Sequence, residues 1–464
     1  MVFTITSKNL DITPIEGKGS VWKQYLLSFI VSFPFFTQGV QTTALSTSVH
    51  SGHFVTLDNV PWSTTALILG ATFSAPLYSI IIDRWGRKFG FYMVIMLQGV
   101  SCIPLLLSPN DATIISLHVL AGVVSGGLFT VLPIYIREIC SDQIRAAMVA
   151  LMMLMTSAGY LVKLAMTVET LLYTMAGLVM FQFLAVFLAI ESPSYLVMKS
   201  NMEEARVSLA KIKCVSRGNE FVVNKIAELK EESERAKANG KLNIYRILKN
   251  PIWRDATKIG IMLNTITILS GSIVFLDQKK ALTQLKTAAD PQKLLVPICL
   301  FAGGLVSVFF MRFLERKYVL TCAYSAMVLS MGTLAVYTQA DLTVSEFARI
   351  PIISLGVLVF SYGMVWGIPM VVMVEILNIE IRSTIVASIY TYSQLLKLVH
   401  IHSFSYLEEN VGIYTLFYIF ACLNLLGAVY SISTLPVLKC KSVRQVERQL
   451  KRIPLLKFNT QPLS

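Results

Sequence analysis

The sequence Asp83-Arg84-Trp85-Gly86-Arg87-Lys88 separates two long apolar stretches. Glycine accepts backbone conformations that other residues avoid, so it permits a tight turn at position 86. The turn holds one acid and three bases at the ends of two neighbouring helices. Such a cluster can form ion pairs in one conformation and break them in another. The sequence therefore favours a conformational gate here, and the alternative is a solvated loop that is simply rich in basic residues.

The chain around this loop is too apolar for a soluble protein. Of its 464 residues, 55% are hydrophobic and 14% are charged, and the mean hydropathy is +0.64. Soluble proteins carry about 25% charged residues. A transmembrane helix needs about 20 mostly apolar residues, so the composition has room for about twelve. It excludes disordered, fibrous and disulfide-scaffold proteins, and the predicted fold class is an all-α membrane protein.

Twelve apolar stretches follow one another along the chain, six before a polar segment and six after it. They lie at about residues 22–46, 62–82, 89–108, 112–136, 146–167, 171–191, 256–276, 294–311, 319–338, 350–374, 383–407 and 412–435. The predicted units are a cytoplasmic tail at 1–21, a six-helix bundle at 22–191, a cytoplasmic linker with amphipathic helices at 192–255, a second six-helix bundle at 256–435 and a cytoplasmic tail at 436–464. Two equal halves are typical of an internally repeated transporter. The alternative is a channel or receptor with the same number of spans.

Membrane topology accounts for the net charge of +13. With the first tail inside, 33 of the 40 Lys and Arg residues fall on the inner side and 5 on the outer side. Basic residues concentrate on the cytoplasmic side of membrane proteins, so we expect both termini to be cytoplasmic and the chain to lie in the cell membrane. The inner surplus attracts anionic lipid headgroups. The lipid bilayer is therefore the predicted partner, and nucleic acid is not.

Matching charge motifs end the fourth and the tenth apolar stretches. Glu138 is followed seven residues later by Arg145, and Glu375 is followed seven residues later by Arg382. The sixth stretch ends in Glu191-Ser192-Pro193. The repeated spacing indicates that the two halves carry related elements at equivalent places.

Together with the loop at 83–88, these motifs resemble the sugar porter family of the major facilitator superfamily, and within it the insect trehalose and sugar facilitators, over about residues 22–447. The resemblance implies two six-helix bundles that rock about a central site. It also implies a latch, a set of cytoplasmic charges that pair across the bundles in the outward-facing state. The first-half latch residues would be Asp83, Arg84, Arg87, Glu138, Arg145 and Glu191, and the second-half latch residues would be Arg312, Arg316, Glu375 and Arg382.

The second half departs from the family pattern at this latch. Its loop at 311–316 lacks the turn glycine and the leading acid, and Val437 stands where the family has an acid after proline. We therefore expect an intact latch in the first half and a weakened latch in the second.

The sugar-binding positions that the resemblance implies are also altered. Hydrophobic or smaller residues replace glutamine, asparagine and tryptophan at Thr267, Ile268, Ile273, Met153 and Met370, and Ser393-Gln394 replaces an Asn-Trp pair. An unpaired polar group costs about 1–3 kcal/mol, so we expect weak sugar binding. The remaining candidates for substrate binding are Gln38, Gln41, Asn264, Thr267, Ser270, Trp366, Ser393, Gln394 and Lys397. The alternative is that these side chains only join helices.

Ionisable residues within apolar stretches are hypotheses for function, because a charge in lipid is costly. Lys397 falls near mid-depth of the eleventh stretch, whereas Lys163 falls near the outer end of the fifth and could extend to the interface. His118 stands at the arginine position of the family. Proton-coupled members pair that arginine with a carboxylate in the first span, but no Asp or Glu occurs between Glu16 and Asp58. The resemblance thus implies no proton coupling.

The interpretation is a facilitative carrier, a uniporter, that moves a sugar such as a hexose, trehalose or a polyol by alternating access. One alternative is a carrier of a less hydroxylated or anionic solute, suggested by Lys397 and the apolar substitutions. Another is a solute sensor that does not transport. The loops contain no metal-ligand spacing, nucleotide loop or nucleophile–base arrangement. We therefore predict no enzyme activity, no cofactor and no metal site.

Overall fold

The computed structural model describes residues 20–50, 62–107, 111–238, 250–273, 291–340, 349–439, 441 and 443–450. Regular structure in this part of the chain is helical. The first half contains α1 (Trp22–His50), α2 (Trp62–Trp85), α3 (Arg87–Leu107), α4 (Asp111–Ile139), α5 (Arg145–Leu161) and α6 (Val168–Ala185). The linker contains α7 (Pro193–Met198), α8 (Met202–Lys213) and α9 (Glu220–Ala238). The second half contains α10 (Pro251–Ile268), α11 (Pro291–Phe313), α12 (Arg316–Gln339), α13 (Ile350–Val365), α14 (Ile368–Ile376), α15 (Arg382–Val411) and α16 (Ile413–Thr434), and α17 (Val443–Leu450) follows it.

Six segments among the described residues are long and apolar enough to cross a membrane. They are Thr64–Trp85, Ile115–Ile139, Leu294–Phe313, Arg316–Gln339, Ile350–Ile376 and Ile413–Thr434. Helices also occupy the other predicted apolar stretches, although α10 ends at Ile268 and residues 274–276 of the seventh stretch lie outside the described residues. The count of twelve spans and the side on which the termini lie stay predictions.

The two halves repeat one close helix crossing. In the first half, α2 meets α4 at Gly122, where an added methyl group would lie 2.1 Å from the Leu67 carbonyl oxygen. In the second half, α11 meets α13 at Gly303, where an added methyl group would lie 2.0 Å from the Phe360 carbonyl oxygen. Small residues let helices in membranes approach closely. The second and fourth helices of each half thus pack in the same way, which agrees with an internal repeat.

The halves meet along two helix pairs, α2 with α15 and α5 with α11. At one end of the first pair, Thr65 Oγ1 lies 3.0 Å from His402 Nε2. At the other end, the Ser383 hydroxyl donates a hydrogen bond to the Asp83 carboxylate. We call this second end the latch end, because the loop at 83–88 lies there.

The linker helices α7, α8 and α9 pack near the latch end. Buried apolar side chains recur along them at helical spacing, with Ala205 and Leu209 in α8 and Val222 and Ile226 in α9. These side chains form one hydrophobic cluster that also includes Ile379, in the turn between α14 and α15. The linker therefore contacts the second half as well as the first.

Candidate transport site

The latch is built around one turn in the first half. Gly86 adopts a φ of +103°, a conformation that side chains rarely adopt, and it separates α2 from α3. An added methyl group on Gly86 would lie 2.4 Å from Glu191 Oε2. Glu191 Oε1 accepts backbone hydrogen bonds from Arg87 (3.0 Å) and Lys88 (3.2 Å). A carboxylate at a helix N-terminus satisfies free N–H groups and the helix dipole, so Glu191 fixes the start of α3.

Arg87 points from this turn into the interior and is fully buried. Its Nε donates to Glu138 Oε2 at 3.0 Å, and its Nη1 donates to the Ile82 carbonyl at 3.1 Å. Asp83 lies 3.6 Å from the same Nη1. The Tyr195 ring covers the guanidinium at 5.3 Å. Arg87 is thus held by acids from two helices of its own half.

Glu138 also binds an arginine from the second half. Arg382 Nη1 donates to Glu138 Oε1 at 3.2 Å, and neither side chain has exposed surface. The Ser192 hydroxyl donates to Glu138 Oε2. One carboxylate therefore joins the loop of the first half to the start of α15, and among the described residues this ion pair links the two halves.

Two predicted first-half latch residues lie apart from this network. Arg84 is exposed and its guanidinium lies 5.5 Å from the centroid of the Trp85 ring. Arg145 pairs with Asp142 and donates from Nε to the Arg137 carbonyl at 3.1 Å. The expectation that Arg145 pairs across the bundles is not met here, because Asp142 lies within one turn of chain and satisfies it inside the first half.

Arg137 crosses the halves instead of Arg145. Its Nε donates to the Val374 carbonyl of α14 at 2.9 Å. Arg137, Ser383 and Ser192 were not among the latch residues predicted from the sequence. Each of these three directly follows or precedes a residue that was predicted, namely Glu138, Arg382 or Glu191. Adjacency to a motif is the signal that could have found them.

The second-half latch contains one ion pair. Arg316 Nη2 donates to Glu375 Oε1 at 2.7 Å, and both side chains are buried. Among the described residues, Arg316 Nε, Arg316 Nη1 and Glu375 Oε2 have no hydrogen-bond partner. Arg312 is exposed and lies over the Phe313 ring at 5.8 Å. The structure thus brings Arg316 and Glu375 together and leaves Arg312 outside.

The linker adds a further connection to the second half. Glu232 Oε1 accepts a hydrogen bond from the Ile379 backbone N–H at 3.0 Å. The Ser233 hydroxyl donates to the Glu380 carboxylate. Glu232 and Ser233 of α9 therefore hold the turn that precedes Arg382. Any motion of α15 at this end must disturb these two hydrogen bonds.

Midway between the two ends, the halves meet at a second contact, which we call the central face. Tyr390 of α15 stacks on Phe129 of α4 with ring centroids 5.2 Å apart. The Tyr390 hydroxyl lies 3.1 Å from Ser125 Oγ. The Phe35 ring meets the edge of Phe129 at 5.2 Å. None of these four residues was predicted, because aromatic and small polar residues in a span give no sequence signal of their own.

Three predicted binding residues lie in elements at or near the central face. Gln394 and Lys397 follow Tyr390 at intervals of four and three residues, so they lie on the same side of α15. Trp366 lies at the break between α13 and α14 and stacks on Tyr362 with centroids 6.3 Å apart. All three are partly exposed, as a group that meets a solute must be.

Other predicted binding residues join helices within the second half. Thr267 Oγ1 lies 2.9 Å from the Tyr324 hydroxyl. Ser270 donates to the Thr267 carbonyl at 2.8 Å, and its own carbonyl accepts from Asn424. Thr267 and Ser270 thus face α12 and α16, on the interior of their own half. Asn264 donates to the Gly260 carbonyl of its own helix and to Met373 Sδ of α14 at 3.6 Å. Ser393 donates only within its own helix, to the Ile389 carbonyl, among the contacts of the described residues.

The two glutamines of α1 likewise bond to neighbouring helices. Gln41 Nε2 donates to Ser101 Oγ of α3 at 2.8 Å, and Gln38 Nε2 donates to the Ala121 carbonyl of α4 at 3.4 Å. Both side chains are buried, and the oxygens Gln38 Oε1 and Gln41 Oε1 have no partner among the described residues. In α1, the predicted binding residues therefore make the contacts of the alternative interpretation, in which they only join helices.

Met153, which stands at a glutamine position of the family, closes the contact between the halves near the helix break. A methyl group on Gly367 would lie 2.9 Å from Met153 Cγ. The side chain of Met153 is buried. An apolar side chain therefore fills space where the resemblance implies a sugar ligand.

Comparison with known proteins identifies the family of this chain. A profile described as "Sugar (and other) transporter" matches residues 19–450. The chain belongs to this family. It is 21% identical over 459 residues to the facilitated trehalose transporter Tret1 of Bombyx mori, which covers 95% of this chain and 90% of that relative. It is 22% identical over 409 residues to Tret1 of Apis mellifera ligustica, covering 85% and 80%.

Solved structures give the same fold. The proton:xylose symporter XylE bound to 6-bromo-6-deoxy-D-glucose, a major facilitator superfamily protein, superposes with a TM-score of 0.78 at 16% identity, over 92% of this chain and 99% of that one. This sugar-transporter family member therefore has the major facilitator fold. It is a multi-pass membrane transporter and not an enzyme.

Proposed function

We propose that this protein is a facilitative carrier of a sugar or polyol that works by alternating access, with the latch end toward the cytoplasm. The observation that carries the proposal is the Glu138 carboxylate, which binds Arg87 of its own half and Arg382 of the other. Rocking of the two bundles can break the second bond and keep the first. Family membership supports a sugar as the solute.

Opening of the latch end must expose charges that are now buried. Arg382 and Glu138 have no exposed side-chain surface, so their separation has to admit water to both. Leaving one partner of a buried ion pair without the other costs about 3–5 kcal/mol. The Arg87 bond and the Glu191 cap lie inside the first half. We therefore infer that the first half moves as one unit and that the pair across the halves is the one that opens.

Transport is proposed to run down the gradient of the solute. The sequence has no acid between Glu16 and Asp58, so the described part of α1 supplies no carboxylate for a proton. The central face offers the Tyr390 phenol and the Ser125 hydroxyl, and the Gln394 amide lies on the same side of α15. A hydroxyl-rich solute leaves several groups unpaired against so few partners, which costs about 1–3 kcal/mol for each. We expect affinity in the millimolar range, about 4 kcal/mol of binding.

A second candidate, an anionic solute, is favoured by Lys397. It lies on the same side of α15 as Tyr390 and Gln394, one to two turns toward the end opposite the latch. If Lys397 contacts the solute, Lys397→Met should abolish discrimination between neutral and anionic solutes. If Lys397 contacts only helices, the same change should alter expression or stability alone.

Counterflow in proteoliposomes tests the proposal. Vesicles loaded with hexoses, disaccharides, polyols or organic anions would report exchange with a labelled partner, with no pH gradient. Arg382→Gln should lower exchange by at least about tenfold, and Arg312→Gln, an exposed arginine of the same half, should leave it unchanged. If no sugar or polyol exchanges faster than in vesicles without protein, the result would contradict a sugar carrier. Accumulation driven by an imposed pH gradient would contradict the facilitative mechanism.

Orientation has its own test. Residues 48–56 should react with an antibody on intact cells, whereas tags at both termini should react only after permeabilisation. A terminal tag that is reached on intact cells would reverse the assignment of the latch end.

A further inference from the structure

A basic cavity of about 410 Å³ lies where the linker meets the start of α1, outside the latch and the central face. It is lined by Lys23, Val207, Ala210, Lys211, Cys214, Val215, Ser216 and Arg217. Three of these side chains are cationic and none is acidic. The cavity therefore combines positive charge with a hydroxyl group and two valine side chains.

Backbone hydrogen bonds hold the cavity in shape. Helix α8 ends at Lys213, and the next residue, Cys214, adopts a left-handed φ of 55°. The Val215 N–H donates to the Ala210 carbonyl at 3.1 Å, a bond typical of a helix C-terminus. The Ser20 N–H donates to the Lys213 carbonyl at 2.9 Å. The end of α8 and the start of α1 are thus joined directly, and the walls do not depend on long side chains alone.

The cations of this cavity differ from other basic residues on the linker. Arg206, Lys225 and Lys230 each pair with a glutamate on the same helix. Within the described part of the chain, Lys23, Lys211 and Arg217 form no ion pair with an acid. An anion that entered the cavity would therefore meet cations that no described carboxylate neutralises.

The position of the cavity along α1 matches the boundary of a membrane. Trp22, beside Lys23, is 73% exposed, and Leu26 and Phe29 are exposed on the following turns. Tryptophan is enriched at the membrane–water interface. Basic pockets on the cytoplasmic side of membrane proteins bind phosphorylated lipid headgroups. With the latch end toward the cytoplasm, as proposed above, the cavity lies at the level of the inner headgroups.

We propose that this cavity binds the phosphorylated headgroup of an anionic phospholipid of the phosphoinositide class. Lys23, Lys211 and Arg217 would neutralise the phosphate groups, and the valine side chains would lie against the apolar part of the lipid. The headgroup would bridge α1 and the linker.

The site has a path to the latch. Gln24, next to Lys23, accepts hydrogen bonds on Oε1 from Lys213 Nζ at 3.3 Å and from Ser141 N–H at 2.8 Å. Ser141 opens the turn between α4 and α5, directly after the helix that carries Glu138. A lipid that holds α8 against α1 therefore also stabilises the docked linker, whose α9 bonds the turn before Arg382. The bound lipid should favour the closed latch.

Binding of a water-soluble dioctanoyl phosphatidylinositol 4-phosphate to the purified full chain in detergent tests the site. The triple variant K23Q/K211Q/R217Q should lose about a hundredfold in affinity, since each basic side chain near an anionic lipid contributes about 1 kcal/mol. The control R206Q/K225Q/K230Q removes the same charge from paired positions on the linker and should bind as the parent does. Equal losses in the two triple variants would overturn the proposal.

Two further arms identify the ligand and guard against misfolding. Inorganic phosphate should bind far more weakly than the short-chain lipid, and equal affinity would make this a site for free phosphate and overturn the lipid assignment. The single variants Lys211→Gln and Arg217→Gln change exposed side chains and should each lose about fivefold. Unchanged affinity in both single variants would also overturn it. These measurements need no transport, so they are independent of the carrier proposal.

Discussion

The loops at 83–88 and 312–317 occupy equivalent places in the two halves but are held differently. The first turns at Gly86 and is capped by Glu191. The second has no glycine, and the side chain of Glu315 makes no hydrogen bond at the start of α12. Val437 stands where the resemblance to sugar porters implies an acid after proline. A missing cap removes about 1 kcal/mol, so the first loop is the firmer of the two.

The second loop relies on the chain that follows α16. Lys439 Nζ donates to the Phe313 carbonyl at 2.7 Å, which satisfies a free carbonyl at the end of α11. The Val437 N–H bonds to Gln449 Oε1 of α17 at 3.0 Å. The comparison teaches that the tail still contacts the second loop although Val437 is not an acid. Lys439 and Gln449 bond the end of α11 and the tail itself, but they supply no acid at the start of α12. Arg316 has one acidic partner among the described residues.

The largest expected effect follows from removing the carboxylate that both halves share. Glu138→Gln leaves Arg382 buried without its anion and leaves Arg87 with Asp83 alone, so we expect a loss of about 3–5 kcal/mol in stability. Thermal unfolding of the purified protein in detergent would measure it. Glu203→Gln is the exposed control and should change stability by less than about 0.5 kcal/mol.

Glu375→Gln is the matched change in the second half. It removes one ion pair with arginine where Glu138→Gln removes two, so the loss should be smaller, about 1–3 kcal/mol. If Glu375→Gln lowers stability as much as Glu138→Gln does, the ion pairs of the two latch halves contribute equally, which would contradict the weaker second-half latch.

Arg145→Leu should lower turnover more than apparent affinity. Arg145 braces the turn between α4 and α5 through Asp142 and the Arg137 carbonyl, and it lies far from the central face. Burial raises the pKa of Asp142, but the charges of Arg145, Lys225 and Arg137 together outweigh burial and hold that pKa below its usual value. We expect about a tenfold lower maximal rate at equal expression, with KM within about twofold. Equal maximal rates in parent and variant would remove Arg145 from the conformational step.

A gain of stability should follow from restoring the missing acid. Val437 lies two residues before Lys439, which bonds the Phe313 carbonyl near the start of α12. We therefore expect a carboxylate introduced by Val437→Glu to cap α12 as Glu191 caps α3. We expect a gain of about 0.5–1 kcal/mol. Val437→Gln keeps the size without the charge and should give less. A rise in melting temperature that is identical for both variants would speak against a cap that depends on charge.

The smallest expected effect is a pH dependence at the junction of α1 and the linker. Burial lowers the pKa of Lys213 to about 8, below its usual value of 10.5. The unfolded chain therefore binds more protons than the folded chain above about pH 8, and stability should rise with pH there. The rise in stability should stop near pH 9. Burial raises the pKa of Cys140 from 9.0 to about 11, so above pH 9 the folded chain keeps a proton that the unfolded chain loses, and stability falls with pH. Lys213→Met should flatten the rise in melting temperature between pH 8 and 9; an unchanged slope would contradict the assignment.

Periodicity and charge predicted the helices more reliably than the contacts. Helical segments occupy the predicted stretches because an apolar run in a membrane protein has to satisfy its backbone internally. The spacing of Glu138 and Arg145, and of Glu375 and Arg382, indicated where charges would gather. It could not indicate which arginine reaches which acid, since that depends on the relative position of two bundles.

By itself, the sequence determined the class of protein, the helical segments and the neighbourhood of the latch, because these follow from local composition and motif spacing. Only the tertiary structure decided that Arg382 binds Glu138 and that Arg145 stays with Asp142. It also decided that Thr267 and Ser270 face their own half while Tyr390 meets Phe129. The reason is geometric. A residue's type gives its bonding capacity, but the rotation of its helix and the docking of the two halves select the partner.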